Sequence, residues 1–243
     1  MIIGLATAKF INKKVYLNLE ECFSFIEKAR KQNVDLLLFG EAFLQGFDSF
    51  TWNPKEDLLM GIERNSDVLV RIRNYCKEKN IAIGIGYIER EYIKLYCSYL
   101  IIDKKGNDLV NYRRISRGWR IKNSDNEVYK EGNGFYVFDF FGYKMTVALC
   151  GDFWEDEIIE KMPKNVETVL WPVYVQWNKE QWENIQLNEY IERSKLYCKN
   201  IFYVNSNCND QKYLAFGGAF AVINNKLVAS MDMEKEGILV INY

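Results

Sequence analysis

Short apolar runs that stop abruptly at polar loops are the feature that most limits what this chain can fold into. Residues 35–39 (Asp35-Leu36-Leu37-Leu38-Phe39) end at Gly40, and Met145-Thr146-Val147-Ala148-Leu149 ends at Cys150. Runs this short suit buried strands better than helices. Early in the chain, amphipathic stretches separate them. Asn18 with Glu21 reads as a capping box, and Leu19, Cys22, Phe23 and Ile26 then recur at helical spacing. Ser66 caps a second helix with Leu69, Ile72 and Cys76 on its inner face. Residues 2–8, 81–87, 95–102 and 109–112 read as further strands, with a Lys104-Lys105-Gly106-Asn107 turn before the last. Later the pattern changes to hairpins: 135–140 with 144–149 around Phe141-Gly142, and 220–223 with 227–229 around Asn224-Asn225. Strands at 168–171 and 201–205 flank a long, charged, helix-prone segment at 179–199. Alternation followed by hairpins predicts a layered α/β sandwich with mixed sheets and disfavours a purely parallel, doubly wound sheet. No repeat, low-complexity tract or linker interrupts residues 1–243, so a single domain is expected.

The chain contains no histidine. Ser-His-Asp and Cys-His catalysis and His-bearing metal sites are thereby excluded. What remains for nucleophilic chemistry is a carboxylate acting as base for a cysteine. Cys150 stands where a strand stops, the chain bends at Gly151 and an acidic segment, Asp152 to Glu157, begins. Such a corner can present a nucleophile. Glu41 follows the strand at 35–39 within Phe39-Gly40-Glu41-Ala42-Phe43-Leu44-Gln45-Gly46-Phe47, and a basic loop runs Asn111-Tyr112-Arg113-Arg114-Ile115-Ser116-Arg117. Singly, these read as a solvated acid, a surface loop and a buried small hydrophobe.

The six cysteines, Cys22, Cys76, Cys97, Cys150, Cys198 and Cys208, form no C-x-x-C pair, which points to reduced thiols rather than a disulfide framework or a zinc cluster. A net charge of −1 offers no electrostatic case for nucleic acid or an anionic membrane. No apolar run approaches the ~20 residues of a membrane helix, and the opening residues lack a basic leader, so a cytoplasmic protein is expected. Gly84-Ile85-Gly86 is only a fragment of a dinucleotide fingerprint. A thiol-redox role would need Cys97, Cys198 or Cys208 as resolving partner.

Taken in order, the glutamate segment, the basic loop and Leu149-Cys150-Gly151-Asp152 resemble the motifs of the nitrilase superfamily of carbon–nitrogen hydrolases. Weaker similarity extends through Glu127 and Gly132, Trp182-Glu183, Asn200 with Tyr203 and Val204, and Phe216-Gly217-Gly218. The resemblance implies a four-layer α-β-β-α sandwich and a Glu-Lys-Cys triad. It implies cofactor-free cleavage of a non-peptide C–N bond in a small amide, carbamoyl compound or nitrile through a thioester-type intermediate, and a homodimer. Glu41 would be the general base, Cys150 the nucleophile, and Glu127 a second glutamate orienting base and water. The backbone N–H after Cys150 would assist at the oxyanion.

The departure lies at Arg114, where the family places a lysine. A guanidinium still donates to an oxyanion, but it is longer, planar and prone to pair with a carboxylate. Locked onto Glu41, it would weaken the base. Two ways round this are open: Lys122 or Arg117 swings into the position, or the pocket is shaped for arginine. Arg113, Arg114, Arg117, Arg120 and Lys122 together would also suit a substrate carboxylate or phosphate, the plainer reading being a solvated loop with some members paired internally. Phe47, Trp154, Tyr174 and Trp177 follow strand ends on the expected catalytic side and are candidate substrate-binding walls, or simply packing. Two functions are left open: an amidase-type hydrolase without metal or cofactor, and a catalytically impaired binding or scaffold relative.

Overall fold

The computed structural model describes residues 1–210 and 214–243. Its strands run β1 (Ile2–Ala6), β2 (Lys9–Phe10), β3 (Leu36–Leu38), β4 (Ala82–Glu91), β5 (Lys94–Ile102), β6 (Asp108–Arg113), β7 (Phe138–Phe140) and β8 (Tyr143–Val147). They continue as β9 (Thr168–Val173), β10 (Asn200–Asn205), β11 (Asn207–Asn209), β12 (Leu214–Phe216), β13 (Ala219–Ile223), β14 (Lys226–Met231) and β15 (Ile238–Asn242). The helices are α1 (Val15–Lys31), α2 (Pro54–Met60), α3 (Asp67–Lys79), α4 (Asp156–Ile159), α5 (Lys179–Gln181) and α6 (Leu187–Lys195).

Two six-stranded sheets, ordered β15-β1-β3-β4-β5-β6 and β14-β13-β10-β9-β8-β7, lie face to face. Both are mixed: β1, β3 and β4 are parallel, as are β8, β9 and β10, and the outer pairings are antiparallel. Period-two alternation builds the layers. Leu36 and Leu38 of β3 enter the inter-sheet core with Val147, Leu170, Phe202 and Val204. Leu37 and Phe39 point the other way, onto Leu19, Cys22, Phe25 and Ile26 of α1 and Leu69, Ile72 and Cys76 of α3. On the opposite side, Val169, Trp171, Ile201 and Tyr203 meet Tyr190 and Ile191 of α6. The order is helix, sheet, sheet, helix, as the resemblance implies.

Both hairpin turns form where expected. Phe141 and Gly142, and likewise Asn224 and Asn225, take positive φ (52°, 84°, 50° and 62°), the geometry that matches strand twist in a two-residue turn. Three local readings are corrected. Asn18 is not a cap: α1 starts at Val15, and the buried Asn18 side chain instead accepts from Ile11 N (2.8 Å) and donates to Ile11 O and Leu44 O (both 2.9 Å). The first strand stops at Ala6, and Lys9–Phe10 pairs with β11 in a small separate sheet, β12-β11-β2. The segment 179–199 is helical only to Lys195 and is interrupted by a π-helical turn, Trp182–Gln186.

Candidate active site

Glu41 and Cys150 are brought together because β3 in one sheet and the parallel pair β8 and β9 in the other end at the same rim. Past β3 the chain turns under Gly86, where a Cβ would overlap Gly40 O and Ala42 N, so only glycine permits this approach. Ala42 is itself left-handed, at φ 51°. The Glu41 N–H then donates to Val173 O at the end of β9 (3.1 Å), tying the sheets at the site.

The Glu41 carboxylate is buried and fully engaged. Its Oε1 accepts from Arg114 Nη1 (2.9 Å) and from the Cys97 thiol (3.1 Å); Oε2 accepts from Tyr174 N (3.2 Å). Its negative charge also acts on the Cys150 thiol and opposes ionisation there. Cys150 follows β8 at φ 43°, a strained left-handed conformation for a residue with a side chain. Its carbonyl accepts from Trp171 Nε1 (3.0 Å), which holds the corner, and its sulfur lies 3.9 Å from Tyr174 O. Cys150 as a residue is partly exposed. Burial first, and then the Glu41 charge, push the thiol up to about 12 against the opposing pull of Arg114, so the resting sulfur is protonated.

Arg114 continues from β6, its backbone N–H on Cys97 O (2.8 Å). The side chains of Arg114 and Glu41 are 6% and 1% exposed. Burial opposes the guanidinium charge, but Glu41, Cys150 and Asp152 outweigh it and the group stays cationic. Its fork is divided. Nε donates to Ser116 Oγ (2.8 Å) and Nη1 to Glu41, while Nη2 lies along Gly151 without a hydrogen-bond partner among the described residues. Asp152, wholly buried, clamps the two loops: Oδ1 accepts from Ile115 N (3.0 Å) and Ser116 N (2.6 Å), Oδ2 from Tyr112 OH (2.7 Å) and Leu149 N (3.0 Å).

Tyr174 stacks on Phe47 (centroids 5.7 Å apart) and hydrogen-bonds Asp48 through its hydroxyl. Trp177 packs against the same outer-layer cluster as Cys150 and donates to Tyr190 OH (3.5 Å). Trp154, 40% exposed, meets Tyr190 edge-on at 4.8 Å.

Glu127 does not join the site. Its side chain is 85% exposed, and its partner is Lys130 at 3.6 Å. Lys122 is exposed, and Arg117 donates to Asn126 (3.4 Å), so neither replaces Arg114. The basic cluster resolves into internal pairs instead: Arg113 with Glu89 and Glu91, Arg120 with Glu131. Three contributors escaped the sequence reading of the site. Cys97 meets Glu41 only through tertiary contact, Ser116 holds Arg114 from two residues on, and Tyr190 lies on a helix distant in sequence. The tight Arg114–Ser116 spacing was the one local clue.

A carbon-nitrogen hydrolase family model matches residues 13–242. The chain belongs to the carbon-nitrogen hydrolase family, within the nitrilase superfamily. It is 22% identical over 192 residues to an aliphatic nitrilase of Rhodococcus rhodochrous, a match covering 72% of this chain and 49% of that one. It is 25% identical over 203 residues to a glutamine-dependent NAD(+) synthetase of Acinetobacter baylyi, covering 82% of this chain and 35% of that protein. The match thus spans half or less of these curated relatives. The amidase from Nesterenkonia sp. AN1 superposes with TM-score 0.80 at 17% identity, covering 100% of this chain and 93% of that chain, in a structure in which acrylamide has added to its active-site cysteine. At that identity the likeness shows the fold, an α/β sandwich with mixed sheets.

Proposed function

We propose that this family member is a cysteine-dependent hydrolase releasing ammonia or an amine from a small amide, carbamoyl compound or nitrile. The observation that carries the reading is the convergence of Glu41 and Arg114, ion-paired, with Cys150, a partly exposed residue whose thiol feels both charges, from three separate elements. In the proposed cycle, Glu41 takes the thiol proton as sulfur attacks the substrate carbon. Arg114 Nη2, without a partner among the described residues, and the Gly151 N–H face the negative charge that develops. For an amide, Glu41 then protonates the departing amine, leaving a thioester on Cys150. Water, deprotonated by Glu41, cleaves it to acid and free thiol. A nitrile would pass through a thioimidate instead. No step requires a cofactor.

Phe47 and Tyr174 on one side, with Trp154 and Trp177 on the other, are the proposed walls, suiting a flat or apolar acyl group. We read residues 1–243 as one hydrolase domain, working in the cytoplasm as a homodimer. Among the described residues, no helix is long and apolar enough to cross a membrane. The reading is supported by aliphatic nitrilase among the relatives and amidase among the structural neighbours.

The test is ammonia release across a panel of small amides and nitriles, with mass detection of an acyl-enzyme on Cys150. Cys150→Ala is expected to abolish both; release that persists unchanged in that variant sinks the proposal. The Arg114–Glu41 ion pair favours a second reading, a non-catalytic relative whose base is neutralised. That reading gains if wild type turns over nothing in the panel and Arg114→Lys creates activity. Wild-type turnover ends it.

A further inference from the structure

Position 151 carries a glycine whose backbone does not call for one. Gly151 lies outside the left-handed region, so any residue could adopt its conformation. The constraint is space. A Cβ built there would sit 3.3 Å from Arg114 Cζ, 3.1 Å from Ser116 Oγ, and closer to Arg114 Nη2 than any real carbon–nitrogen contact. An arginine tip on the surface would swing aside. This one is buried and held twice, by Ser116 Oγ on Nε and Glu41 on Nη1, so it cannot move without giving up one or both.

We infer that the bare Cα of Gly151 and the hydroxyl of Ser116 form a slot built for a guanidinium. Arg114, Ser116 and Gly151 then act as one coupled device that seats an arginine against both Glu41 and the nucleophile's backbone. Gly151, through its missing side chain, and Ser116 are positioning residues for Arg114. A lysine has no atom equivalent to Nη2 and would leave that part of the slot vacant. Arginine at 114 is thus an accommodated feature of this chain rather than a lesion in a lysine site. The inference deepens the hydrolase reading, because it concerns the same site, but it can be read without turnover.

The experiment is a double-mutant cycle of wild type, Gly151→Ala, Arg114→Lys and the combined variant. It is read by thermal unfolding and by the iodoacetamide alkylation rate of Cys150 across pH. With arginine present, Gly151→Ala should displace the guanidinium that favours the thiolate, slowing alkylation at pH 8 by at least about tenfold, the equivalent of one pH unit. With lysine present, the same substitution should change the rate by less than about threefold, within the spread of independent sites. Ser116→Ala should show the same dependence on arginine. If Gly151→Ala fails to fold and the combined variant folds, the coupling is supported in its strongest form. Equal losses in both backgrounds, or failure of both to fold, overturn the inference. Ammonia release from none of the four proteins would count against the hydrolase reading alone, since coupling is scored on alkylation and unfolding.

Discussion

Asp152→Ala is the substitution that most directly tests how the site is held. The carboxylate is fully buried and accepts four hydrogen bonds, from Ile115 N, Ser116 N, Tyr112 OH and Leu149 N. Alanine orphans all four donors, three of them on residues with no exposed surface. Each buried unsatisfied group costs roughly 1–3 kcal/mol, and water entering the space left behind moderates the sum, so about 4–6 kcal/mol is expected. That is a large share of the roughly 5–15 kcal/mol that typically holds a domain together. With a slope of about 3 kcal/mol/M for a chain of this size, the urea midpoint should fall by roughly 1.3–2 M. Tyr112→Phe removes one of the four bonds and should lower it by only about 0.3 M, from a loss near 1 kcal/mol. Because Asp152 joins the Leu149–Cys150 corner to the Arg114–Ser116 segment, Asp152→Asn should also alter Cys150 alkylation. A urea midpoint within about 0.3 M of wild type for Asp152→Ala would refute the reasoning, since four orphaned buried donors cannot be that cheap.

Three further outcomes are expected. The Cys150 thiol is raised to about 12, so its iodoacetamide rate should climb about tenfold per pH unit between roughly pH 7 and 10; a plateau at or below pH 9 would contradict the burial described. Cys97→Ala removes one donor from Glu41 and should lower turnover about three- to tenfold, equivalent to about 1 kcal/mol, while Cys97→Ser retains most of it. If serine and alanine behave alike, the hydrogen bond is immaterial. Glu127→Gln should leave turnover unchanged and stability within about 0.5 kcal/mol, as its side chain stands in solvent; a tenfold drop in ammonia release would bring Glu127 back into the mechanism.

Much of the layered fold was legible because its signals are local. The alternating Leu36, Leu37, Leu38 and Phe39 record which side of the strand meets helix and which meets the other sheet. Asn224-Asn225 carries its own turn, since asparagine tolerates positive φ. Where reading failed, a distant partner had intervened. Asn18 carries a capping signature, yet its amide is claimed by Ile11 and by Leu44 in the loop after β3, which moves the helix start upstream. Glu127 matched a motif by spacing, but the isolated bridge between Leu95 and Tyr129 carries the chain there along a sheet edge with the carboxylate outward.

Sequence alone determined the chemical vocabulary of this protein: no imidazole, one thiol at a strand end, a glutamate at another strand end, and arginine where the family resemblance implies lysine. Those are properties of residue type and order, fixed before any folding. Tertiary structure alone decided how the arginine is used. Whether a guanidinium smothers a carboxylate or keeps a donor in reserve depends on ångström-scale space and on the hydroxyl and glycine beside it, and these follow β6 and β8, strands of opposite sheets.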